Sequence, residues 1–140
     1  MVPIMDKKSN QTEKFLPIWV WIVALIEIVL VLFFSVGTAM NPGDFIPGGS
    51  ELDYVTQLYI TRNVTVVLGL IIALLLKSHK ALFVVLTVRV LTDLSDVITV
   101  YALNVEVIKS SVPMVVVILI IPALFVLGYL CKRINQESQL

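Results

Sequence analysis

The sequence predicts an all-α integral membrane protein: a four-helix transmembrane bundle with its N and C termini on the cytoplasmic side. Three observations predict it. The chain is 59% hydrophobic and 14% charged, where a soluble domain is about half apolar and about a quarter charged. The apolar excess is gathered into four runs, each of roughly the 20 residues a helix needs to cross a bilayer. Basic residues gather in alternate connections between those runs.

In chain order, residues 1–14 carry Asp6, Lys7, Lys8, Glu13 and Lys14, a polar tail too short and mixed to fold alone. The first span, 15–39, is longer than the apolar core of a signal peptide, so it reads as an uncleaved helix. Trp19 and Trp21 near its start favour an interface. Ala24, Glu27, Val31, Ser35 and Thr38 fall on one helical stripe. Residues 40–53 hold two prolines and three glycines, which argues against a continuous helix. Phe45 and Ile46 there belong to a plain connection, dip into the headgroups, or cover the bundle mouth. Ser50-x-x-Asp53 resembles a capping box that starts the next helix.

The second span is 54–76. Leu58, Arg62, Thr65, Gly69 and Ala73 form a stripe whose Gly69-x-x-x-Ala73 spacing lets another helix approach closely. Lys77-Ser78-His79-Lys80 reads as a tight basic turn with His79 solvated. The third span, 81–103, carries Arg89, Asp93 and Asp96 at i, i+4 and i+7, on one face of a helix. The loop 104–111 sets Glu106 against Lys109. The fourth span, 112–131, has no charge; Pro113 suits its first turn and Pro122 predicts a kink. Lys132 and Arg133 close the membrane domain, 15–133, and 134–140 is a second polar tail.

Orientation follows from the basic residues. Lys7, Lys8, Lys14, Lys77, Lys80, Lys132 and Arg133 lie in the two tails and the middle turn, against Lys109 alone in the other two loops. Positive charge marks the cytoplasmic side. The expected location is the plasma (inner) membrane.

Charge inside an apolar span is costly and turns toward protein, water or an opposite charge. Arg62 precedes Lys77 by fifteen residues and Asp96 follows Lys80 by sixteen, so each is about 22–24 Å from the cytoplasmic surface at 1.5 Å per residue. The tight turn makes these helices neighbours, and Arg62 is placed to pair with Asp96. Asn63 is placed to donate to Asp96 or Asp93. Arg89 and Asp93 are one turn apart, and Glu27 lies between them in depth. Glu27, Asp93 and Asp96 outnumber Arg62 and Arg89, and arginine keeps its proton. One carboxyl, Glu27, is therefore expected to be neutral. The candidate polar core is Glu27, Arg62, Asn63, Arg89, Asp93 and Asp96.

Other chemistries lack their residues. Cys131 is the only cysteine and His79 the only histidine, so no disulfide, CxxC pair or histidine-based metal site is available. No phosphate-binding glycine loop and no Ser-His-Asp set occurs. A net charge of zero gives no case for nucleic acid. No metal or cofactor is expected.

Arg62-Asn63, Leu68-Gly69-Leu70, Ala73, Lys77, Ala81-Leu82, Arg89 and Asp93-x-x-Asp96 give the stretch 54–101 a pattern that resembles the small four-helix DoxX-like membrane proteins. That resemblance implies a four-helix bundle with both ends inside. Some members look like accessory subunits of redox enzymes, a role for which this chain lacks cysteines and histidines. A more distant likeness, to emopamil-binding, sigma-2-like proteins, implies that Glu27, Asp93 and Asp96 meet a cationic or sterol ligand.

Three functions remain open. The first is a polar core that binds a small lipophilic or cationic ligand, or a proton, in a transporter-like or accessory subunit. Four helices make a cramped conduit, so transport would need a homo-oligomer. The second is an enzyme moving a proton on a lipophilic substrate. The third is an assembly partner in which ion pairs only fix helix register. A cavity touching Glu27 and Asp93 favours the first two; dry, close-packed ion pairs favour the third.

Overall fold

The computed structural model describes residues 16–46, 53–104, 109 and 112–139, and every regular element among them is a helix. Helix α1 spans Ile18–Met40 and α2 Pro42–Phe45. Helix α3 spans Tyr54–Leu75, α4 His79–Ala102 and α5 Val112–Glu137. By length and composition α1, α3 and α5 suit a membrane crossing. Helix α4 is 24 residues long, but Arg89, Asp93 and Asp96 set its composition apart. Ile18, Val55, Leu75 and Phe125 are more than half exposed, an apolar exterior that fits lipid better than water.

The stripe expected on α1 is buried whole: Ala24, Glu27, Val31, Ser35 and Thr38 join Val20 and Ile28. The hydroxyls of Ser35 and Thr38 donate to the carbonyls of Val31 and Phe34, four residues back, so neither hydroxyl proton is left unbonded. The chain after α1 is more than a plain connection. Pro42 starts the one-turn α2, which brings the Phe45 ring edge-on to Phe33 and Phe34. Gly37 leaves room for that ring; a Cβ there would overlap Phe45 Cζ.

Asp53 caps α3. Its Oδ1 accepts from the Thr56 backbone N–H at 2.7 Å, and Ser50 lies outside the described residues. The buried stripe of α3 is Thr56, Asn63, Val66, Val67, Leu70, Ala73 and Leu74. It is rotated from the expected one, since Leu58 and Thr65 face outward. The small-residue spacing does bring helices together: a Cβ on Gly69 would sit 3.3 Å from Val85 of α4.

The turn between α3 and α4 is tighter than expected. The Ser78 N–H bonds the Ala73 carbonyl and the Lys77 N–H bonds that of Leu74, with Lys77 at φ 48°. These two hydrogen bonds close the end of α3. Ser78 Oγ then accepts from the Ala81 N–H and starts α4 at His79. His79 is buried, not solvated, and its Nδ1 lies 3.1 Å from Glu137 Oε1. Helix α5 runs six residues past its expected end at 131, so the 134–140 tail is helical to Glu137. At Pro122, a π-helical segment, Val116–Ile120, precedes the proline, and the Ile121 N–H reaches back five residues to Val116. The wider turn accommodates the ring and the missing donor.

Helix α1 packs on α3, α3 on α4, α4 on α5 and α5 on α1. Trp19 meets the Tyr129 ring at 5.2 Å, and the Arg133 Nε donates to the Tyr129 hydroxyl. These groups, with His79 and Glu137, define a basic end that also holds Lys77, Lys80 and Lys132. Asp44 and Asp53 mark the opposite, acidic end.

Candidate functional site

The six expected core residues separate into an inner cluster and an outer pair. Arg62 and Asn63 are consecutive, so a helix turns their side chains about 100° apart and only one faces inward. Asn63 is the buried one. Arg62 lies at the side of the α3–α4 contact, where its two terminal nitrogens donate to the two oxygens of Asp96 at 3.1 and 2.7 Å. This fork-to-fork pair joins the helices as their common depth predicts. It is open to the exterior, with 38% of the Arg62 side chain and 46% of the Asp96 side chain exposed. Arg62 also lies over the Tyr59 ring, 5.3 Å from its centroid.

Arg89 is the hub of the inner cluster. One terminal nitrogen is 2.9 Å from Asp93 Oδ1, one turn along α4. The other donates to Asn63 Oδ1 on α3 at 3.3 Å. Asn63 thus accepts from Arg89, where donation to Asp96 or Asp93 was expected. The Arg89 Nε faces Glu27 Oε2 on α1 at 3.9 Å, beyond hydrogen-bond range. One guanidinium therefore addresses three helices. Glu27, Asn63, Arg89 and Asp93 are each at most 6% exposed.

Glu27 has the least support. Both its oxygens are buried and neither has a hydrogen-bond partner. An ionised carboxylate accepts at both oxygens, and burying one without donors costs more than burying a neutral carboxyl. Glu27 and Asp93 against Arg89 leave the inner cluster one negative charge in excess, while Arg62 and Asp96 balance each other. A single proton on the inner carboxyls restores neutrality.

Two hollows lie elsewhere. One is an open groove lined by Arg62, Val88, Leu91, Thr92 and Ser95; the other is bordered by Ile121, Leu124 and Phe125. Neither touches Glu27, Arg89 or Asp93. Among the described residues no three histidine, cysteine or acidic side chains gather as a metal site would require.

Two polar features escaped the sequence reading. One is the His79–Glu137 contact, between positions far apart in the chain. The other is Thr56, fully buried, whose hydroxyl has no hydrogen bond. Its signal was present: Thr56 stands three residues after the acidic cap, in phase with Asn63. No family model, curated protein or solved structure matches the chain.

Proposed function

We propose that the chain is a multi-pass membrane protein that holds a proton at Glu27, in the middle of a bundle crossing the bilayer four times. Both termini are cytoplasmic in this reading, as the distribution of lysine and arginine favours. The length of α4 and its short turn from α3 support the fourth crossing. Its inner charges, Arg89 and Asp93, are buried and paired, which lowers the cost of placing them at membrane depth.

The observation that carries the proton reading is the pair of buried Glu27 oxygens without a donor, next to a guanidinium already engaged by Asp93 and Asn63. A proton needs no cavity, and the two hollows described above do not touch Glu27. The Arg89–Asp93 and Arg89–Asn63 contacts also favour a second reading, in which the cluster only fixes helix register. Infrared spectroscopy of the chain in lipid separates the two. The expected result is a protonated-carboxyl band that disappears reversibly at high pH and is missing in Glu27→Gln. A band that persists in Glu27→Gln overturns the assignment. A band that belongs to Glu27 but never responds to pH supports the register reading.

A further inference from the structure

We infer that Glu27 exchanges its proton with the acidic end of the bundle alone, through the α1–α3 contact, and that the basic half of the core is a seal. This rests on Glu27 as the proton-binding group. The inference comes from how the buried side chains are distributed along the four long helices. From Glu27 toward the acidic end, α1 buries Ile28 and Val31 and then Ser35 and Thr38. Over the same depth α3 buries Asn63 and Thr56, α4 buries Asp93 and Val90, and α5 buries Val112, Leu119, Ile120 and Ala123, while Arg89 sits beside Glu27. From Glu27 toward the basic end, the buried residues of α1 are Val20 and Ala24, and those of α3 are Val66, Val67, Leu70, Ala73 and Leu74. Helix α4 adds Leu82 and Leu86, and α5 adds Val126 and Leu130. Among the described residues in that half, His79 alone interrupts the apolar set, and it lies in the first turn of α4 at the very end.

Protons move between water and hydrogen-bonding groups, not through close-packed hydrocarbon. Ser35 and Thr38 donate to their own helix, but their oxygens can still accept. Thr38 is eleven residues from Glu27, about 16 Å along the axis, so buried polar groups, with Ile28 and Val31 among them, recur over most of this half-membrane, as they do not in the other. Thr56 continues it to the exposed Asp53 cap. The charged groups facing Glu27 across the packed helices are Arg89 and Asp93 of α4; Arg62 of α3 turns outward to Asp96, and α5 buries no charge. In the transfer step hydronium gives a proton to one Glu27 oxygen, leaving water and a neutral carboxyl. The remaining charges, on Arg89 and Asp93, then cancel.

The test is cysteine accessibility in the full chain, reconstituted in vesicles. The single Cys131 is exposed near the basic end, and its labelling by a membrane-impermeant, cationic methanethiosulfonate defines that side. In a Cys131→Ser background, Thr38→Cys and Thr56→Cys are expected to label from the opposite side only. Val20→Cys, which is nearly isosteric, and Leu70→Cys are expected to label from neither side, while every variant labels fully after unfolding. Protection of Thr38→Cys and Thr56→Cys from both sides, or labelling of Val20→Cys and Leu70→Cys from the basic side, overturns the inference. The infrared band of Glu27 is read separately in the unmutated chain. Labelling as expected without that band overturns the proton assignment and leaves the one-sided route standing; the band without the labelling does the reverse.

Discussion

At the basic end, the core is Val20, Ala24, Leu70, Ala73, Leu74, Leu82, Leu86, Val126 and Leu130. Toward the acidic end, the same helices bury Glu27, Ser35, Thr38, Thr56, Asn63, Arg89 and Asp93 among the apolar Ile28, Val31, Val90, Val112, Leu119, Ile120 and Ala123. In lipid the first kind of core has little to distinguish inside from outside, because a leucine is as content against an acyl chain as against another leucine. It holds by close packing, and many arrangements pack almost equally well. The second kind is directional: Arg89 satisfies Asn63 and Asp93 in one rotation and depth of α3 against α4. The apolar half supplies contact area and the polar half selects the arrangement.

The sharpest way to break this contrast is Arg89→Met. It leaves Asp93 and Glu27 buried without a cation, and breaking a buried ion pair costs about 3–5 kcal/mol. The expected outcome is loss of folded chain in detergent, read by thermal unfolding. Leu70→Ala, in the middle of the apolar half, is expected to cost about 2 kcal/mol, the low end for a buried leucine, because lipid weakens the transfer contribution and leaves the packing loss. Equal losses at the two sites would show that the halves do not differ in kind.

A finer test lies within the cluster. Asp93 bonds Arg89 directly, whereas Glu27 is 3.9 Å from it and makes no hydrogen bond. Glu27→Gln is therefore expected to unfold close to the unmutated chain, and Asp93→Asn clearly below it, by roughly the 1.5–3 kcal/mol of a charged hydrogen bond. Equal destabilisation by both would end the asymmetry.

How much of this was legible in the sequence differs by helix. On α1 one acidic residue stands among small and hydroxylated residues at helical spacing, and that stripe is the buried one. On α3 the pattern misled. Arg62 looked like the residue to bury, but Asn63 beside it could be buried without a counter-ion, and the helix is turned to suit Asn63. The Arg62–Asp96 pairing was legible because helical rise fixes depth once a tight turn fixes register. The π-helical segment was not: a proline predicts a disturbance, while its form depends on what α5 packs against. Nor was the burial of His79, which depends on α5 continuing to Glu137.

The outer pair gives a smaller effect. Arg62 and Asp96 are both about four-tenths exposed, and polar contacts between membrane helices are worth about 1 kcal/mol or less. Asp96→Asn keeps one acceptor for the guanidinium and is expected to lower stability by no more than that. A loss as large as that of Asp93→Asn would place the pair in the same cooperative unit as the inner cluster.

The smallest expected effect is at the mouth of the polar half. The Thr56 backbone N–H holds the Asp53 carboxyl below its ordinary value of 3.8. A carboxyl lowered in the folded state stabilises the fold above its unfolded value, and that support is lost as pH falls through the folded value. Asp53→Asn keeps the oxygen that caps α3 but removes the charge favoured at a helix N-terminus. The stability difference between the unmutated chain and Asp53→Asn is therefore expected to be constant at neutral pH and to shrink as pH drops below 3.8. Helix signal on heating, followed through a pH series for both chains, reads that difference while the other carboxyls titrate alike in each. A difference that grows on acidification would mean the charge at Asp53 opposes folding, and the N-terminus of α3 would then owe its start to geometry alone.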